Sequence, residues 1–367
     1  MSSSATFDAI VGQQWAVSYL ARAAAAGRLS QTLIFYGPPY VGKELTALAL
    51  AGLWLCDQGT GCGTCASCRQ VATYQHPDLH YVFPCPAPWY DEPEKIGEIV
   101  AQRALPANRL GEPLPDPNLT ISIEAVRTMI RSAARSAFGG RARVFIVRAA
   151  ERLREEAQNA FLKLLEEAPP HAHIVLLTTS MEQMLPTVRS RAYHVRFTAL
   201  GRSDWITVFR SLTQVDLPTA ELLFRLSGGS LARAAALKDE DHTVRRLPLV
   251  LFQTPDMPSG AWVSSVFEHL GSRVEREELD RLLDFALLWV RDILVWRLTG
   301  NERLMTNSDA VADIADVATH VVPEHLIQLT ADIESLRQAS RLNLDPRLIC
   351  HRLERLMTRS RAGGGHR

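Results

Sequence analysis

A glycine-rich loop contains the residue types that could hold phosphate: Gly37-Pro38-Pro39-Tyr40-Val41-Gly42-Lys43-Glu44. It follows the apolar run 32–36, which predicts a buried parallel strand, and precedes the run 45–51, which predicts a helix. Glycines let backbone N–H groups curl around phosphate oxygens, a helix N-terminus adds partial positive charge, and Lys43 adds a full charge. The spacing of Gly37, Gly42 and Lys43 therefore predicts a phosphate-binding loop.

Two positions depart from the pattern of a loop that hydrolyses nucleotide. Serine or threonine normally follows the lysine because its hydroxyl ligates Mg²⁺, whereas Glu44 offers a longer carboxylate that would repel phosphate. The predicted strand 143–147 should end in acids that hold Mg²⁺, yet it ends in Arg148-Ala149 and reaches Glu151 only beyond the expected positions. The sequence thus predicts a degenerate nucleotide site and leaves ATP binding by this chain in doubt.

Polar residues also end the next predicted strand, 173–177, which is followed by Thr178-Thr179-Ser180. These side chains could reach a γ-phosphate. Serine and threonine are also common at strand ends that bind no ligand, so this feature alone decides nothing.

Four of the six cysteines are crowded together as Cys56, Cys62, Cys65 and Cys68. Two overlapping Cys-x2-Cys pairs, with a fourth thiol upstream and glycines that permit tight turns, predict a tetrahedral Zn²⁺ site in preference to a disulfide framework. A redox or incidental cluster is the alternative. Four thiolates leave no coordination position for water, so the predicted role of this zinc is structural.

Composition excludes a strong global attraction to nucleic acid or membranes. The chain has 367 residues, 40 basic and 40 acidic residues, so any such contact must come from a local patch. No apolar run approaches the roughly 18 residues of a membrane span, and residues 1–6 lack the charged and apolar parts of a signal peptide. We therefore expect a cytoplasmic protein without a membrane partner.

Strand and helix patterns alternate over residues 1–198, which indicates a parallel α/β sheet covered on both faces, and the pattern is almost entirely helical from Ala199 onward. The proline-rich stretch of about 84–117 is interpreted as a loop or insertion. In the predicted helix 124–137, Arg127, Arg131 and Arg135 share a face, which is either a solvated face or a row of phosphate contacts.

These features together resemble the δ′ family of bacterial DNA polymerase III clamp-loader subunits, which are AAA+-type proteins. The resemblance covers residues 7–240 well and the C-terminal helices loosely. The segments that carry it are Phe7-Asp8-Ala9-Ile10-Val11-Gly12-Gln13, the loop, the cysteine cluster, His76-Pro77-Asp78, Ile121-Ser122-Ile123-Glu124, residues 157–167 with Pro169-Pro170, Arg189-Ser190-Arg191, Gly229-Ser230-Leu231-Ala232-Arg233 and Asn343-Leu344-Asp345-Pro346.

The resemblance implies a RecA-like AAA+ domain at 1–198 with a zinc knuckle at 56–68, a helical lid at 199–243, an all-α collar at 244–358 and a disordered tail at 359–367. In such proteins the collars join five subunits into a ring and ATP lies between neighbours. One subunit supplies the loop, and a Ser-Arg-Cys segment of the next supplies an arginine finger.

Carried over by position, Arg191 is that finger, although Ala192 stands where the family has cysteine. Arg233 takes the sensor position of the lid, and Thr178 or Thr179 takes the sensor position at the strand end. Glu44 and Arg148-Ala149 remove several parts of the hydrolysis machinery, a pattern that the family's non-hydrolysing stator shows and its motor subunit does not.

The leading hypothesis is therefore a stator subunit that donates Arg191 to a neighbouring ATPase and helps load the sliding clamp on primed DNA. The runner-up is an active AAA+ ATPase of the motor type, which Glu44 and Arg148-Ala149 disfavour. A third hypothesis, a zinc-dependent nucleic-acid-binding module, is disfavoured because Arg69 is the one basic residue near the cysteines.

Overall fold

The computed structural model describes residues 7–91, 93–104, 119–138, 141–238, 242–254, 256–271, 274–340 and 344–360. The chain divides into two compact units. The first contains Met1–Ala220 and Gly229–Ala235, and the second contains Glu221–Gly228 and Ala236–Arg367. The boundaries of a separate lid and collar stay a prediction.

The first unit is an α/β unit whose elements alternate as the sequence predicts. Its strands are β1 Thr32–Tyr36, β2 Leu79–Val82, β3 Arg143–Arg148, β4 Ala172–Thr178 and β5 Tyr193–Arg196. Its helices are α1 Gln14–Ala25, α2 Lys43–Leu55, α3 Ala66–Ala72, α4 Pro93–Ala104, α5 Ile123–Ala133, α6 Glu155–Glu166, α7 Pro186–Arg189 and α8 Arg202–Thr213. Helices α9 Leu217–Leu226 and α10 Leu231–Lys238 follow, and the division between the units passes through both.

The strands form one parallel sheet in the order β2-β3-β4-β1-β5. Successive side chains of a strand point to opposite faces, and the sheet buries both sets. Leu33 and Phe35 of β1 pack into one hydrophobic cluster, and Ile34 between them packs into another. The predicted parallel sheet with two covered faces is confirmed. Because the strands are parallel, their carboxyl ends meet at one edge.

Helices α1 and α2 contribute buried side chains to the same cluster as Leu33, among them Leu20 and Leu50. Helices α5 and α6 contribute Val126 and Phe161 to the cluster on the other face. In α6 the buried residues recur at helical spacing, as the amphipathic pattern predicts.

Helix α5 ends earlier than the predicted 124–137, and Arg135 lies beyond it. Beyond the last turn of α5, Arg143 at the start of β3 donates hydrogen bonds to the carbonyl oxygens of Ser132 at 2.6 Å and Ser136 at 2.7 Å. These bonds satisfy carbonyl oxygens at the end of the helix, which have no partner within it. The buried Asp78 carboxylate pairs with the same guanidinium at 3.1 Å, which gives the aspartate of His76-Pro77-Asp78 a structural role.

The proline-rich stretch is partly helical where the structure describes it. A 3-10 helix spans Ala87–Asp91 and α4 follows. These residues are therefore not a plain loop, whereas their role as an insertion stays a prediction, and 105–117 lies outside the described residues.

The second unit is helical. Its elements are α11 His242–Gln253, α12 Ala261–Leu270, α13 Arg276–Thr299, α14 Val311–Thr319, α15 Pro323–Ser340 and α16 Pro346–Arg359. Helix α13 places Trp289 and Ile293 in a cluster to which all six helices contribute. The predicted tail 359–367 is described only to residue 360. Among the described residues, no helix is both long and apolar enough to cross a bilayer.

Candidate functional site

The loop between β1 and α2 has the backbone geometry that its glycines allow. Gly37 has φ +142°, and a Cβ atom there would lie 2.1 Å from the carbonyl oxygen of Phe197. Gly42 has φ +100° and is the N-cap of α2. Other residues adopt positive φ only with strain, so both glycines are required by the fold as well as by any phosphate.

Lys43 is directed back onto the loop. Its Nζ donates a hydrogen bond to the carbonyl oxygen of Gly37 at 2.6 Å and another to that of Pro38. The side chain is only 7% exposed, and this burial lowers the pKa of Lys43 to about 8, against the opposing effect of the Glu151 charge. The Lys43 ammonium group, which is expected to face a phosphate, therefore donates to carbonyl oxygens of the loop itself.

Glu44 is held by three side chains that sequence reasoning did not connect to it. Its Oε1 accepts hydrogen bonds from the hydroxyls of Tyr74 at 2.6 Å and Tyr81 at 2.7 Å. Its Oε2 lies 4.0 Å from Nε of Arg148 at the end of β3. Glu44 stands where the pattern has a Mg²⁺-binding hydroxyl, and Arg148 stands where it has a Mg²⁺-binding acid. These two changed residues are thus paired with each other.

Glu151 lies beyond the positions expected for a Mg²⁺-binding acid in the sequence, but the fold places it at this edge of the sheet. Ala149 adopts a left-handed conformation with φ +51°, and the 3-10 helix Ala150–Arg152 follows. Glu151 Oε1 then accepts a hydrogen bond from the Thr179 hydroxyl at 2.7 Å, while its charge acts on Lys43. The sequence does not predict this turn, because alanine rarely adopts positive φ and Ala149 therefore gives no sign of one.

Thr178 is buried at the end of β4, and its hydroxyl donates to the carbonyl oxygen of Ser180 at 3.0 Å. Arg233 is exposed on α10, where its backbone N–H donates to the Ser230 hydroxyl at 3.3 Å. Sensor roles for Thr178 and Arg233 stay predictions.

Arg191 lies on the surface between α7 and β5. Its guanidinium forms an ion pair with Oε1 of Glu166 at 2.6 Å and donates to the carbonyl oxygen of Thr187 at 3.0 Å. The buried Gln158 anchors this segment. Its Nε2 donates a hydrogen bond to the Leu153 carbonyl oxygen at 2.9 Å, and its Oε1 accepts one from the Leu185 N–H at 2.8 Å. Arg191 is therefore a surface cation on a well-anchored segment.

The four cysteines from the end of α2 to the first turn of α3 converge as predicted. Their Sγ atoms all lie within 4.8 Å of one another. Three glycines with φ between +62° and +74°, Gly59, Gly61 and Gly63, form the turns between them. Burial would raise the pKa of the Cys56 thiol, but the backbone N–H groups of Cys62, Thr60 and Gln58 donate to it and lower the pKa to about 5.

The geometry fits a tetrahedral metal. With Zn–S bonds of about 2.3 Å, ideal tetrahedral geometry separates the sulfur atoms by about 3.8 Å. The Cys56 Sγ lies 3.7 Å from that of Cys62 and 3.9 Å from that of Cys65. Backbone N–H groups of Cys62, Cys65 and Cys68 donate to cluster sulfurs at 3.4–3.5 Å, which stabilises negative thiolates.

Comparison with known proteins identifies related replication proteins. A family model described as DNA polymerase III, delta subunit, matches residues 12–201. The chain is 27% identical to DNA polymerase III subunit delta′ of Escherichia coli K12 over 318 residues, which cover 85% of this chain and 84% of that protein. It is 26% identical to subunit delta′ of Pseudomonas aeruginosa over 275 residues, which cover 73% of each protein.

The chain is also 28% identical to subunit gamma/tau of Mycobacterium tuberculosis H37Rv over 64% of this chain, but only 37% of that protein. A solved DNA polymerase III gamma subunit-related protein of Thermotoga maritima is 16% identical, with a TM-score of 0.40, over 93% of this chain and 99% of the other.

Proposed function

The chain belongs to the family described as DNA polymerase III, delta subunit, and from this premise we propose that it is a δ′-type stator of a clamp loader. In this role it does not hydrolyse ATP itself. It supplies Arg191 to the nucleotide site of a neighbouring ATPase subunit in a five-membered ring, and the ring loads the sliding clamp on primed DNA. The observation that carries the proposal is the Glu44–Arg148 ion pair at the site where Mg²⁺ ligands are expected.

Hydrolysis requires a bound Mg²⁺ that neutralises charge on the phosphates and a group that orients the attacking water. Here the two changed side chains neutralise each other, and Lys43 bonds to loop carbonyl oxygens. A nucleotide would have to displace these contacts and would still lack a hydroxyl ligand for the metal. Gly37, Gly42, Lys43, Thr178 and Arg233 are therefore proposed as a degenerate nucleotide site.

The surface position of Arg191 supports a role in trans. An arginine that stabilises charge on a neighbour's phosphoryl group must be accessible and held on a stable segment. Exposed ion pairs contribute only about 0–1 kcal/mol, so the pair with Glu166 can be exchanged for a phosphate at little cost. The bonds of Gln158 hold the segment in place while this happens.

The four cysteines are proposed to bind one structural Zn²⁺ through Cys56, Cys62, Cys65 and Cys68. The donor set and the sulfur spacing both support this metal. Zinc would tie the end of α2 to the start of α3. None of the six cysteines, all of which lie among the described residues, forms a disulfide, which fits the reducing cytoplasm where we propose that the protein acts.

The alternative is an active motor ATPase, which the similarity to gamma/tau subunits and the retained Gly37, Gly42 and Lys43 favour. A direct comparison separates the two. ATP hydrolysis is measured for the purified chain alone and for the chain assembled with a gamma/tau-type subunit, primed DNA and a clamp.

We expect no hydrolysis by the chain alone and DNA-stimulated hydrolysis by the assembly. An assembly that contains the Lys43→Ala variant should hydrolyse ATP at the same rate, because the nucleotide site of this chain does not turn over. Appreciable hydrolysis by the chain alone, lost in Lys43→Ala, would establish the motor alternative.

A further inference from the structure

Three aromatic rings form a stacked column on the surface of the first unit. Trp15 and Tyr19 belong to α1, and Tyr193 begins β5. The ring centroids of Trp15 and Tyr19 are 5.7 Å apart with an interplanar angle of 11°, and those of Tyr19 and Tyr193 are 5.1 Å apart with an angle of 5°. The three rings are therefore nearly parallel, with Tyr19 in the middle.

The two end rings are open to solvent. Trp15 is 60% exposed and Tyr193 is 42% exposed, whereas Tyr19 is partly buried between them. An exposed indole contributes little to the stability of the unit because its apolar area stays in water. Tyr19 thus joins the column to the core, and Trp15 leaves most of its indole open to solvent at one end.

The segments that build the column carry only positive charge. Residues 9–43 and 183–203 contain no aspartate or glutamate, although the whole chain has 40 acidic residues against 40 basic ones. Arg22 lies seven residues after Trp15 and so on the same face of α1. Arg28 lies close enough for its charge to act on Tyr19. The basic residues in the two segments are Arg22, Arg28, Lys43, Arg189, Arg191, Arg196 and Arg202.

We propose that this aromatic column, together with Arg22 and Arg28, binds single-stranded nucleic acid. A base stacks on the open face of Trp15 and extends the column, and the arginines contact the adjoining phosphates. Stacking on aromatic side chains inside a positively charged surface is how proteins hold single strands without reading their sequence. Trp15 and Arg22 are separated by about 10 Å along the helix axis, so a strand whose base stacks on Trp15 can bring the phosphate of a neighbouring nucleotide to Arg22.

The same features argue against other ligands. A base pair in a duplex has both faces covered by its neighbours, so duplex DNA offers only its phosphates to this surface. A protein partner would require a broader apolar patch, and the exposed rings here are flanked by arginines. The inference does not depend on the role of Arg191 in ATP hydrolysis.

The test is fluorescence anisotropy of a labelled thymidine oligonucleotide of about 15 nucleotides, titrated with the full chain at about 50 mM salt. We expect binding that weakens with salt and is stronger than binding of a duplex of equal length. Trp15→Ala should weaken it roughly tenfold, and Trp15→Phe should restore most of the affinity. Arg22→Ala should reduce the slope of log Kd against log salt concentration by the amount that corresponds to the loss of about one phosphate contact.

Phe138, which is 85% exposed elsewhere on the same unit, provides the control. Phe138→Ala should leave the affinity unchanged. The proposal is overturned if the chain does not bind the oligonucleotide, if Trp15→Ala binds as well as the original chain, or if an abasic strand binds equally well. It is also overturned if Trp15→Ala impairs only association with another clamp-loader subunit, since the column is then a protein contact. Because no ATP is present, none of these outcomes bears on the stator proposal.

Discussion

The Glu44 carboxylate lies 4.0 Å from the Arg148 guanidinium, so the two residues that depart from the pattern of a nucleotide-hydrolysing loop contact each other. Alone, the carboxylate would repel phosphate and the guanidinium would repel Mg²⁺. Together they form a neutral pair that the hydroxyls of Tyr74 and Tyr81 support. The Glu44 carboxylate is therefore fully engaged within the fold, at the position where the loop pattern places a Mg²⁺-binding hydroxyl.

The first prediction concerns that pair. Glu44→Ala should lower the free energy of unfolding by about 1–3 kcal/mol, because the two phenol groups and the guanidinium lose their common acceptor. Glu44→Gln should cost less, since an amide oxygen still accepts from a tyrosine. Urea denaturation measures both, with the exposed Glu182→Ala as control. Equal stability of Glu44→Ala and the original chain would show that the contacts of Glu44 contribute nothing.

The second prediction concerns Arg191. In a reconstituted clamp loader, Arg191→Ala should reduce DNA-stimulated ATP hydrolysis, by up to about 10³-fold at the nucleotide site that it serves. Glu166→Gln keeps the arginine but removes its ion-pair partner, so its rate should be equal or higher. The exposed Arg210→Ala is the control. An unchanged rate for Arg191→Ala, with assembly verified by gel filtration, would mean that this residue is not the finger.

The third prediction follows from the burial of Lys43, which lowers its pKa from 10.5 to about 8. Between these values the unfolded chain binds more protons than the folded one, so this residue makes stability increase as pH rises. The free energy of unfolding of the original chain minus that of Lys43→Met should therefore increase across this window, by at most about 3.4 kcal/mol.

Urea denaturation from below pH 8 to about 10.5 measures that difference. Lys163→Met, at an exposed position of α6, is the matched control. A difference for Lys43→Met that stays flat across the window would show that the lysine is not desolvated in the folded protein.

The fourth prediction concerns the cysteine cluster. The purified chain should contain about one zinc per molecule, and Cys68→Ser should lose it while Cys85→Ser retains it. Binding to the folded state alone stabilises by about 4 kcal/mol when free zinc exceeds its Kd about 1,000-fold, so chelation should lower the thermal midpoint of the original chain. Mass spectrometry of the metal content is decisive, and a chain purified without oxidation of its cysteines that holds no zinc would refute the site.

Local sequence was sufficient where the deciding contacts are local. The run Thr32–Tyr36, the glycines of the loop and the amphipathic pattern of α6 specify a strand, a turn and a helix through residue-by-residue preferences. The cysteines at 56–68 are also close in sequence, so their spacing alone predicted the convergence of their sulfur atoms.

The tertiary structure decided what depends on residues far apart in the chain. The left-handed conformation of Ala149 brings Glu151 to Thr179, and a contact across 65 residues pairs Asp78 with Arg143. Tyr19 and Tyr193 stack only because α1 packs beside β5. Sequence patterns report which face of an element is apolar, whereas the partner of a polar or aromatic side chain is set by how the elements pack. For that reason the sequence alone indicated a degenerate phosphate loop, and only the fold showed that an ion pair lies where its metal ligands would be.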